Sequence, residues 1–283
     1  MRPLIIDIRL FYIAVLSLFF SSNSLALEER ILLKNNVIAT HYKTTHAPKA
    51  AVLMIHGWAG QMDEVGDMYK RLAKTLADRN IASLRVNIRG ESEQAESGYT
   101  LTSTFSSRVE DAFTGFEFLQ MQYPENPLGV VGFSLGGSTA IALVGKKAKD
   151  IDSLVLWSSA GNPSEVVNNL LTPAQRDHVL QYGKVILNEW VDLTVTKKHY
   201  EGFFVSDIFP AFDEYTGALL TIRGTEDYLQ DIDKMILSRA SDALEEARYI
   251  SGADHIFNVF DPNTSYDQRV LEQTVQWFST TLN

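Results

Sequence analysis

The chain has 283 residues, which is enough to bury a large core as one domain or as a core with an inserted subdomain. Its formal net charge of −10 argues against binding to nucleic acid or to an anionic membrane surface, because both need clustered lysine and arginine. The sequence has no cysteine, which excludes disulfide bonds, thiolate metal sites, a cysteine nucleophile and a lipid anchor on cysteine.

The N-terminal residues have the order of a secretory signal peptide. Arg2 and Arg9 precede an apolar run over residues 10–20, and a small-x-small site follows at residues 24–26. This pattern predicts a signal peptide over residues 1–26 and export to a periplasm or out of the cell. An uncleaved anchor is the alternative, but the run is shorter than the roughly 20 residues that span a bilayer. No stable membrane anchor is expected after cleavage.

Further along the chain, short apolar segments alternate with amphipathic ones. Residues 30–44 predict one or two exposed strands, and residues 91–99 predict a loop. Buried strands are predicted at AVLMIHG, ASLRVNIRG, PLGVVGF, DSLVLWSSA and GALLTIRG, with a shorter strand at EARYISGA. Helical spacing occurs over residues 62–79, 105–123, 135–147, 231–244 and 266–282. This alternation predicts βαβ units, a largely parallel sheet and right-handed crossovers.

Residues 163–213 interrupt the alternation. A structureless loop of about fifty residues is unusual in a compact domain, so an inserted helical cap is the better interpretation. Four of the aromatic residues of this stretch are candidates for the inner face of the cap, or else they form its own small core; they are Trp190, Tyr200, Phe203 and Phe204.

In GFSLG, residues 132–136, a serine lies directly between a predicted strand and a predicted helix. That context indicates a nucleophile elbow, a sharp turn that lifts the hydroxyl of Ser134 clear of the sheet. Gly132 and Gly136 fit the elbow, because the backbone atoms at these two positions approach closely. The alternatives are a glycine-rich turn whose serine caps the helix and a phosphate-binding turn. The phosphate-binding turn is disfavoured because the Walker and dinucleotide glycine patterns are both absent.

A serine hydroxyl needs a general base, and a neutral imidazole suits that role near pH 7. His255 follows the last predicted strand and is the predicted base, and Asp227 follows the GALLTIRG strand and is predicted to orient it. Neighbouring carboxylates are rivals for the role of Asp227; they are Glu226, Asp231, Asp233 and, least favoured because it adjoins the histidine, Asp254. Four other histidines are interpreted as surface residues; they are His41, His46, His178 and His199.

Acyl transfer also needs two N–H donors for the developing oxyanion. The backbone N–H of Leu135, at the start of the predicted helix, is one candidate. The second is the N–H of Trp58, in the loop after the first buried strand, and its side chain is expected to pack half-buried. His56 and Gly57 are predicted to shape this loop.

The segments HGWAG, GFSLGG, RGTEDYL and GADHIF stand in this order along the chain, and with them the sequence resembles the α/β-hydrolase superfamily. The resemblance is strongest to small serine esterases and to serine-aminopeptidase-like or lysophospholipase-like hydrolases. It implies one domain over residues 27–283, with a mostly parallel eight-stranded sheet, helices on both faces and a helical cap after strand 6. It also implies that Ser134, Asp227 and His255 form a triad. Many relatives have R-G-x-G-x-S, but this chain has RGESE over residues 89–93, which lacks the second glycine.

The sequence therefore predicts a serine hydrolase that cleaves a small carboxylic ester through an acyl-enzyme, without a cofactor or metal ion. A peptidase or amidase with the same triad is the first alternative, and an acidic anchor for a substrate amino group would then be needed; Glu165, Glu189 and Asp192 are candidates. A non-catalytic binding protein that kept the fold is the second alternative.

Overall fold

The computed structural model of the chain describes residues 28–91, 94–95, 98–205, 207–240 and 244–283. The predicted signal peptide, residues 1–26, lies outside the described residues. In chain order the strands are β1 (Glu28–Leu32), β2 (Ile38–Tyr42), β3 (Ala50–Ile55), β4 (Ile81–Val86), β5 (Gln94–Ala95), β6 (Gly98–Leu101), β7 (Leu128–Phe133), β8 (Ser153–Trp157), β9 (Lys184–Asn188), β10 (Asp192–Thr196), β11 (Ala218–Gly224) and β12 (Glu245–Ile250). The helices are α1 (Met68–Ala77), α2 (Phe105–Gln122), α3 (Leu135–Lys147), α4 (Pro163–Leu170), α5 (Pro173–Tyr182), α6 (Lys197–Glu201), α7 (Asp233–Leu237) and α8 (Tyr266–Thr281).

Eight of these strands form one large sheet in the order β1-β2-β4-β3-β7-β8-β11-β12. β1 and β2 pair antiparallel and β2 pairs antiparallel with β4, whereas the other strands run parallel. Every residue of β3, β4, β7 and β8 is buried, which explains why these strands read as continuous apolar runs in the sequence. The predicted fold class is confirmed.

Helices cover both faces of the large sheet. On one face, Leu72 and Leu76 of α1 and Phe278 of α8 pack in one apolar cluster with alternate side chains of β3. On the other face, Phe116 of α2 and Ile141 of α3 pack with the intervening side chains of that strand. The helical spacing seen in the sequence is therefore the spacing of side chains that meet the sheet. Among the described residues, no helix combines the length and the hydropathy that crossing a bilayer requires.

Residues 163–213, which we call the cap segment, lie between β8 and β11 and contain both helices and a β-hairpin. In the hairpin β9 pairs antiparallel with β10, and β10 pairs in parallel with β6, giving a second sheet in the order β5-β6-β10-β9. The sequence pattern does not predict this hairpin or the strands within residues 91–99. The hairpin is a local pairing, but its short, partly exposed strands lack the continuous apolar runs that mark the buried strands of the large sheet. Tyr200 and Phe203 are buried, whereas Trp190 and Phe204 are exposed.

The carboxyl ends of the central parallel strands meet at one edge of the large sheet, where ligand sites of such sheets usually lie. The loop of residues 56–60 follows β3, and Ser134 follows β7. Asp227 follows β11, and His255 follows β12. The parallel topology therefore brings together residues that are more than a hundred positions apart.

Candidate active site

Ser134 occupies a strained turn between β7 and α3. Its backbone has φ 53° and ψ −118°, a conformation that costs a non-glycine residue on the order of 1–3 kcal/mol. Glycine is needed on both sides of the turn. A Cβ at Gly132 would lie 2.4 Å from the carbonyl oxygen of Gly136, and a Cβ at Gly136 would lie 2.0 Å from the carbonyl oxygen of Ile55. The GFSLG segment thus forms the sharp elbow that its pattern predicts.

Three side chains from three different loops form a line of hydrogen bonds. The Nε2 atom of His255 lies 3.0 Å from the Oγ atom of Ser134, and its Nδ1 atom lies 2.7 Å from Oδ1 of Asp227. Because an ionised carboxylate only accepts, Nδ1 carries the proton and Nε2 presents its lone pair to the serine hydroxyl. Ser134 and His255 are both buried. This arrangement can take a proton from the hydroxyl and stabilise the resulting imidazolium.

Asp227 is itself held by two further donors. The Nη1 atom of Arg223 donates to Oδ2 over 2.8 Å, and the N–H of Leu229 donates to Oδ1 over 3.0 Å. Burial alone raises the pKa of Asp227, but the hydrogen bond and charge of His255 and the two donors just named together lower it below its usual value. The carboxylate therefore remains ionised at neutral pH.

Arg223 is a functional residue that the sequence analysis missed. It is almost fully buried, and besides Asp227 it contacts both oxygens of Asp233 at 3.0 and 3.1 Å and the carbonyl oxygen of Ser159 at 2.7 Å. The available signal was a charged residue near the end of the apolar strand LLTIRG, since a buried guanidinium needs carboxylate partners.

None of the rival carboxylates contacts His255 among the described residues. Asp233 pairs with Arg223, and Asp231 accepts from the hydroxyl of Tyr249 and from the N–H of Asp233. Asp254 accepts from backbone N–H groups of its own loop, at Ile256 and Asn258. Glu226 is exposed at the surface. The structure therefore brings only Asp227 to the imidazole.

Two backbone N–H groups are predicted as oxyanion donors, those of Leu135 and Trp58. The N–H of Leu135 belongs to the first residue of α3, and the N–H of Trp58 belongs to the loop of residues 56–60. Neither N–H has a hydrogen-bond acceptor among the described residues. The loop passes close to the elbow, since a Cβ at Gly57 would lie 3.4 Å from the Cβ of Ser134. These two donors are available to an anion that forms at Ser134.

His56 braces this loop, in agreement with its predicted shaping role. Its Nδ1 atom lies 2.8 Å from the carbonyl oxygen of Gly57, and its Nε2 atom accepts from the N–H of Ile88 over 3.0 Å. Both ring nitrogens are thus engaged by backbone groups. Burial, together with the charge of Arg108, lowers the pKa of His56 to about 4, so the ring is neutral at physiological pH.

Two buried glutamates hold backbone N–H groups of the same loop. Glu64 accepts from the N–H of Gly57 over 2.8 Å, and Glu91 accepts from the N–H of Ala59 over 3.0 Å. Burial raises the pKa of Glu64 to about 7. Burial would also raise the pKa of Glu91, but its ion pair with Arg108 outweighs this and lowers it. Glu64 and Glu91 are therefore structural supports of this loop.

The interpretation of two histidines as surface residues is wrong. His41 is buried and hydrogen bonded to the hydroxyl of Tyr123 over 2.8 Å. His199 of α6 is fully buried and accepts from Nε1 of the Trp58 indole over 2.7 Å. Both histidines have polar neighbours in the sequence, and only tertiary packing encloses them. His46 and His178 are exposed.

The three carboxylates considered as anchors for a substrate amino group are all exposed on the cap segment. Asp192 accepts from the side chain of Asn188 over 2.7 Å, within the hairpin. No hydrogen bond or ion pair joins Glu165, Glu189 or Asp192 to the three side chains at the elbow, as far as the described residues go. Tyr228, which adjoins Asp227, does contact the site: its ring centroid lies 4.6 Å from that of His255.

Known proteins resemble this chain in sequence and in fold. The family described as serine aminopeptidase, S33, matches residues 46–208, which is more than half of the chain. Monoglyceride lipases from Rattus norvegicus and Homo sapiens are 26% and 29% identical over 121 and 118 residues, and these matches span only 37% of each lipase and 42% of this chain. Among solved structures, Est1E from Butyrivibrio proteoclasticus has a TM-score of 0.68 at 14% identity, covering 89% of this chain and 98% of that chain. This last likeness shows the fold.

Proposed function

Because the chain belongs to the serine aminopeptidase S33 family and has the α/β-hydrolase fold, we propose that it is a serine hydrolase that cleaves carboxylic esters. One observation carries the proposal. The hydroxyl of Ser134, the imidazole of His255 and the carboxylate of Asp227 lie in hydrogen-bond contact, at 3.0 and 2.7 Å, beside two N–H groups that have no acceptor among the described residues.

In the first step, the Oγ atom of Ser134 attacks the ester carbonyl carbon while Nε2 of His255 takes the hydroxyl proton. The carbonyl oxygen becomes an oxyanion and accepts from the N–H groups of Trp58 and Leu135. Asp227 stabilises the imidazolium through Nδ1. The tetrahedral intermediate then collapses, the bond to the alcohol oxygen breaks, and His255 gives its proton to the departing alcohol.

In the second step, water attacks the acyl group on Ser134, and His255 removes the water proton at Nε2. The same N–H groups accept the second oxyanion. Collapse breaks the bond between the acyl carbon and Oγ, and His255 returns the proton to Ser134. The products are a carboxylic acid and an alcohol, and no cofactor takes part in the proposed steps.

Labelling with a fluorophosphonate probe and ester turnover together test this proposal. Ser134→Ala should lose all labelling and reduce kcat on a p-nitrophenyl ester by up to about a million-fold, as for other serine nucleophiles. Ser238→Ala is the control, because this hydroxyl is exposed and, among the described residues, donates to the carbonyl oxygen of Met235 alone. Wild-type turnover in Ser134→Ala contradicts the mechanism. A folded wild-type protein that is not labelled favours the binding-protein alternative.

The choice of an ester over an amide rests on the cap segment. A substrate with a free amino group needs an acidic partner near the nucleophile, and the three candidate carboxylates are exposed and without contact to the elbow residues. An assay of p-nitrophenyl esters, monoacylglycerols and aminoacyl amides side by side distinguishes the two activities. Monoacylglycerols belong in this panel because the curated relatives are named for that substrate. Faster turnover of the amides contradicts the ester proposal.

We also propose that the protein is exported after cleavage at Ala26, on the strength of the signal-peptide pattern of residues 1–26. Expression of the full chain in a bacterial host, followed by fractionation and N-terminal sequencing, tests this. The expected first residue of the exported form is Leu27. A matched chain with residues 2–26 deleted should stay in the cytoplasm. Full-length, uncleaved protein in the cytoplasm contradicts the proposal.

A further inference from the structure

Trp58 belongs to the loop of residues 56–60, and its side chain contacts the cap segment at His199. Its backbone N–H is one of the two proposed oxyanion donors, and its indole Nε1 donates to Nε2 of His199 over 2.7 Å. Both side chains are buried, Trp58 with 9% exposure and His199 with none. A hydrogen bond at the end of a large, enclosed ring fixes the ring's rotamer and restricts the rotation of the peptide that bears it.

The ring of His199 is held in one orientation and one tautomer. Its Nδ1 atom lies 2.9 Å from the carbonyl oxygen of Ser103, which can only accept, so Nδ1 carries the proton. Nε2 is then the acceptor that the Trp58 indole requires. Burial lowers the pKa of His199 to about 4, so this tautomer is maintained at neutral pH. The side chain of Thr196 accepts from the N–H of His199 and fixes the start of α6.

A second branch runs from the same histidine to the same loop. The hydroxyl of Ser103 lies 3.1 Å from Nδ1 of His199 and donates to Oε1 of Glu91 over 2.6 Å. Oε2 of Glu91 accepts from the N–H of Ala59 over 3.0 Å. The network from His199 therefore contacts two consecutive residues of the oxyanion loop, one through its indole and the other through its backbone.

We propose that His199 is a positioning residue for the oxyanion hole, which holds the N–H of Trp58 in place from the cap segment without touching the substrate. This inference rests on the proposed function. It makes the seating of the cap segment a condition for a fast chemical step. Loss of the His199 contact should lower kcat, because an oxyanion donor that is displaced stabilises the transition state less.

Four variants test the inference with a short p-nitrophenyl ester. His199→Leu removes the acceptor at similar bulk, and Trp58→Phe removes the donor; each should lower kcat about tenfold or more and leave KM within about twofold. The double variant should be no slower than either single variant. His199→Gln places an acceptor oxygen near Nε2 and should restore most of kcat. His178→Gln is the control, since this exposed cap histidine lies near the ring of Tyr182 and forms no side-chain hydrogen bond among the described residues.

Wild-type kcat in folded His199→Leu overturns the inference, and so does a double variant whose loss is the product of the two single losses. If His199→Leu does not fold, Trp58→Phe and His199→Gln decide, and wild-type kcat in Trp58→Phe overturns the inference. A spectroscopic measurement is independent of turnover. The indole N–H resonance that disappears in Trp58→Phe should shift in His199→Leu and not in His178→Gln. If the wild-type protein turns over the ester no faster than Ser134→Ala, the proposed function fails. The indole resonance still tests the contact between Trp58 and His199 in that case, because it does not depend on turnover.

Discussion

On the proton-relay side of the candidate site, buried Arg223 contacts Asp227, and on the oxyanion side, buried Arg108 pairs with Glu91. Both pairs join a buried arginine to a carboxylate, but the other groups that each carboxylate contacts differ. The other oxygen of Asp227 contacts the imidazole of His255, a group that changes charge in the proposed mechanism. Glu91 gives its oxygens to the backbone of Ala59 and to a serine hydroxyl, groups that do not. One pair should therefore control rate and the other should control stability.

The largest effect is expected from Asp227→Asn. The amide keeps the shape of the carboxylate but favours the wrong imidazole tautomer, so kcat should fall about ten-thousand-fold while the fold is retained. Steady-state kinetics with a p-nitrophenyl ester and circular dichroism measure the two quantities. Asp231→Asn is the control, because that carboxylate is half-exposed and does not contact the histidine. Equal losses in both variants would mean that the local charge matters and not the contact.

Arg108→Leu should have the next largest effect, and on stability. It leaves Glu91 charged and fully buried without a cation, so the free energy of unfolding should fall by about 3–5 kcal/mol. Urea denaturation measures this loss. Adding Glu91→Leu to the same chain should restore part of it, because the unpaired charge is then gone. A single variant as stable as the wild type would show that the pair is not desolvated in solution.

Glu64→Gln should change how the stability of the fold depends on pH. The pKa of Glu64 is raised from 4.5 to about 7 in the fold, so the folded state binds its proton more tightly than the unfolded chain does. The contribution of Glu64 to the free energy of unfolding is therefore fully present below pH 4.5. It falls by on the order of 3 kcal/mol as the pH rises to about 7. The glutamine variant should lack this decline. Denaturation midpoints at several pH values test it, and parallel curves for the two proteins would contradict the shift.

The smallest effect is expected from Glu201→Gln. This side chain lies two residues from His199, and its one ion pair within the described part of the chain is the exposed contact with Lys197 at 3.6 Å. Exposed pairs contribute little, so the free energy of unfolding should change by less than about 0.5 kcal/mol and kcat should not change. Thermal denaturation and the ester assay check both. A loss of rate here would mean that any change in α6, and not the specific contact of His199, disturbs the oxyanion loop.

The residues of the proton-relay side could be predicted because each sits in a short motif after a buried strand, and parallel topology brings such loops together. The supports of the oxyanion loop could not, because Glu91, Ser103 and His199 lie in three separate segments that meet only in the folded chain. The hairpin of β9 and β10 is a local pairing, and it could not be predicted because its strands lack a continuous apolar run. Local pattern identifies side chains that react, whereas the buried polar contacts that hold them depend on distant partners. α7 is also shorter than predicted, since its spacing gives no signal for where the helix stops.

The parallel pairing of β10 with β6 has a consequence for access to Ser134. Leu193 to Val195 are joined to Tyr99 to Leu101 by main-chain hydrogen bonds, and such a ladder resists hinging much more than side-chain contacts do. A cap segment that opened as one rigid piece would have to break the hydrogen bonds between β10 and β6. We therefore expect substrate and product of the proposed hydrolase to reach Ser134 without displacing β10 from β6.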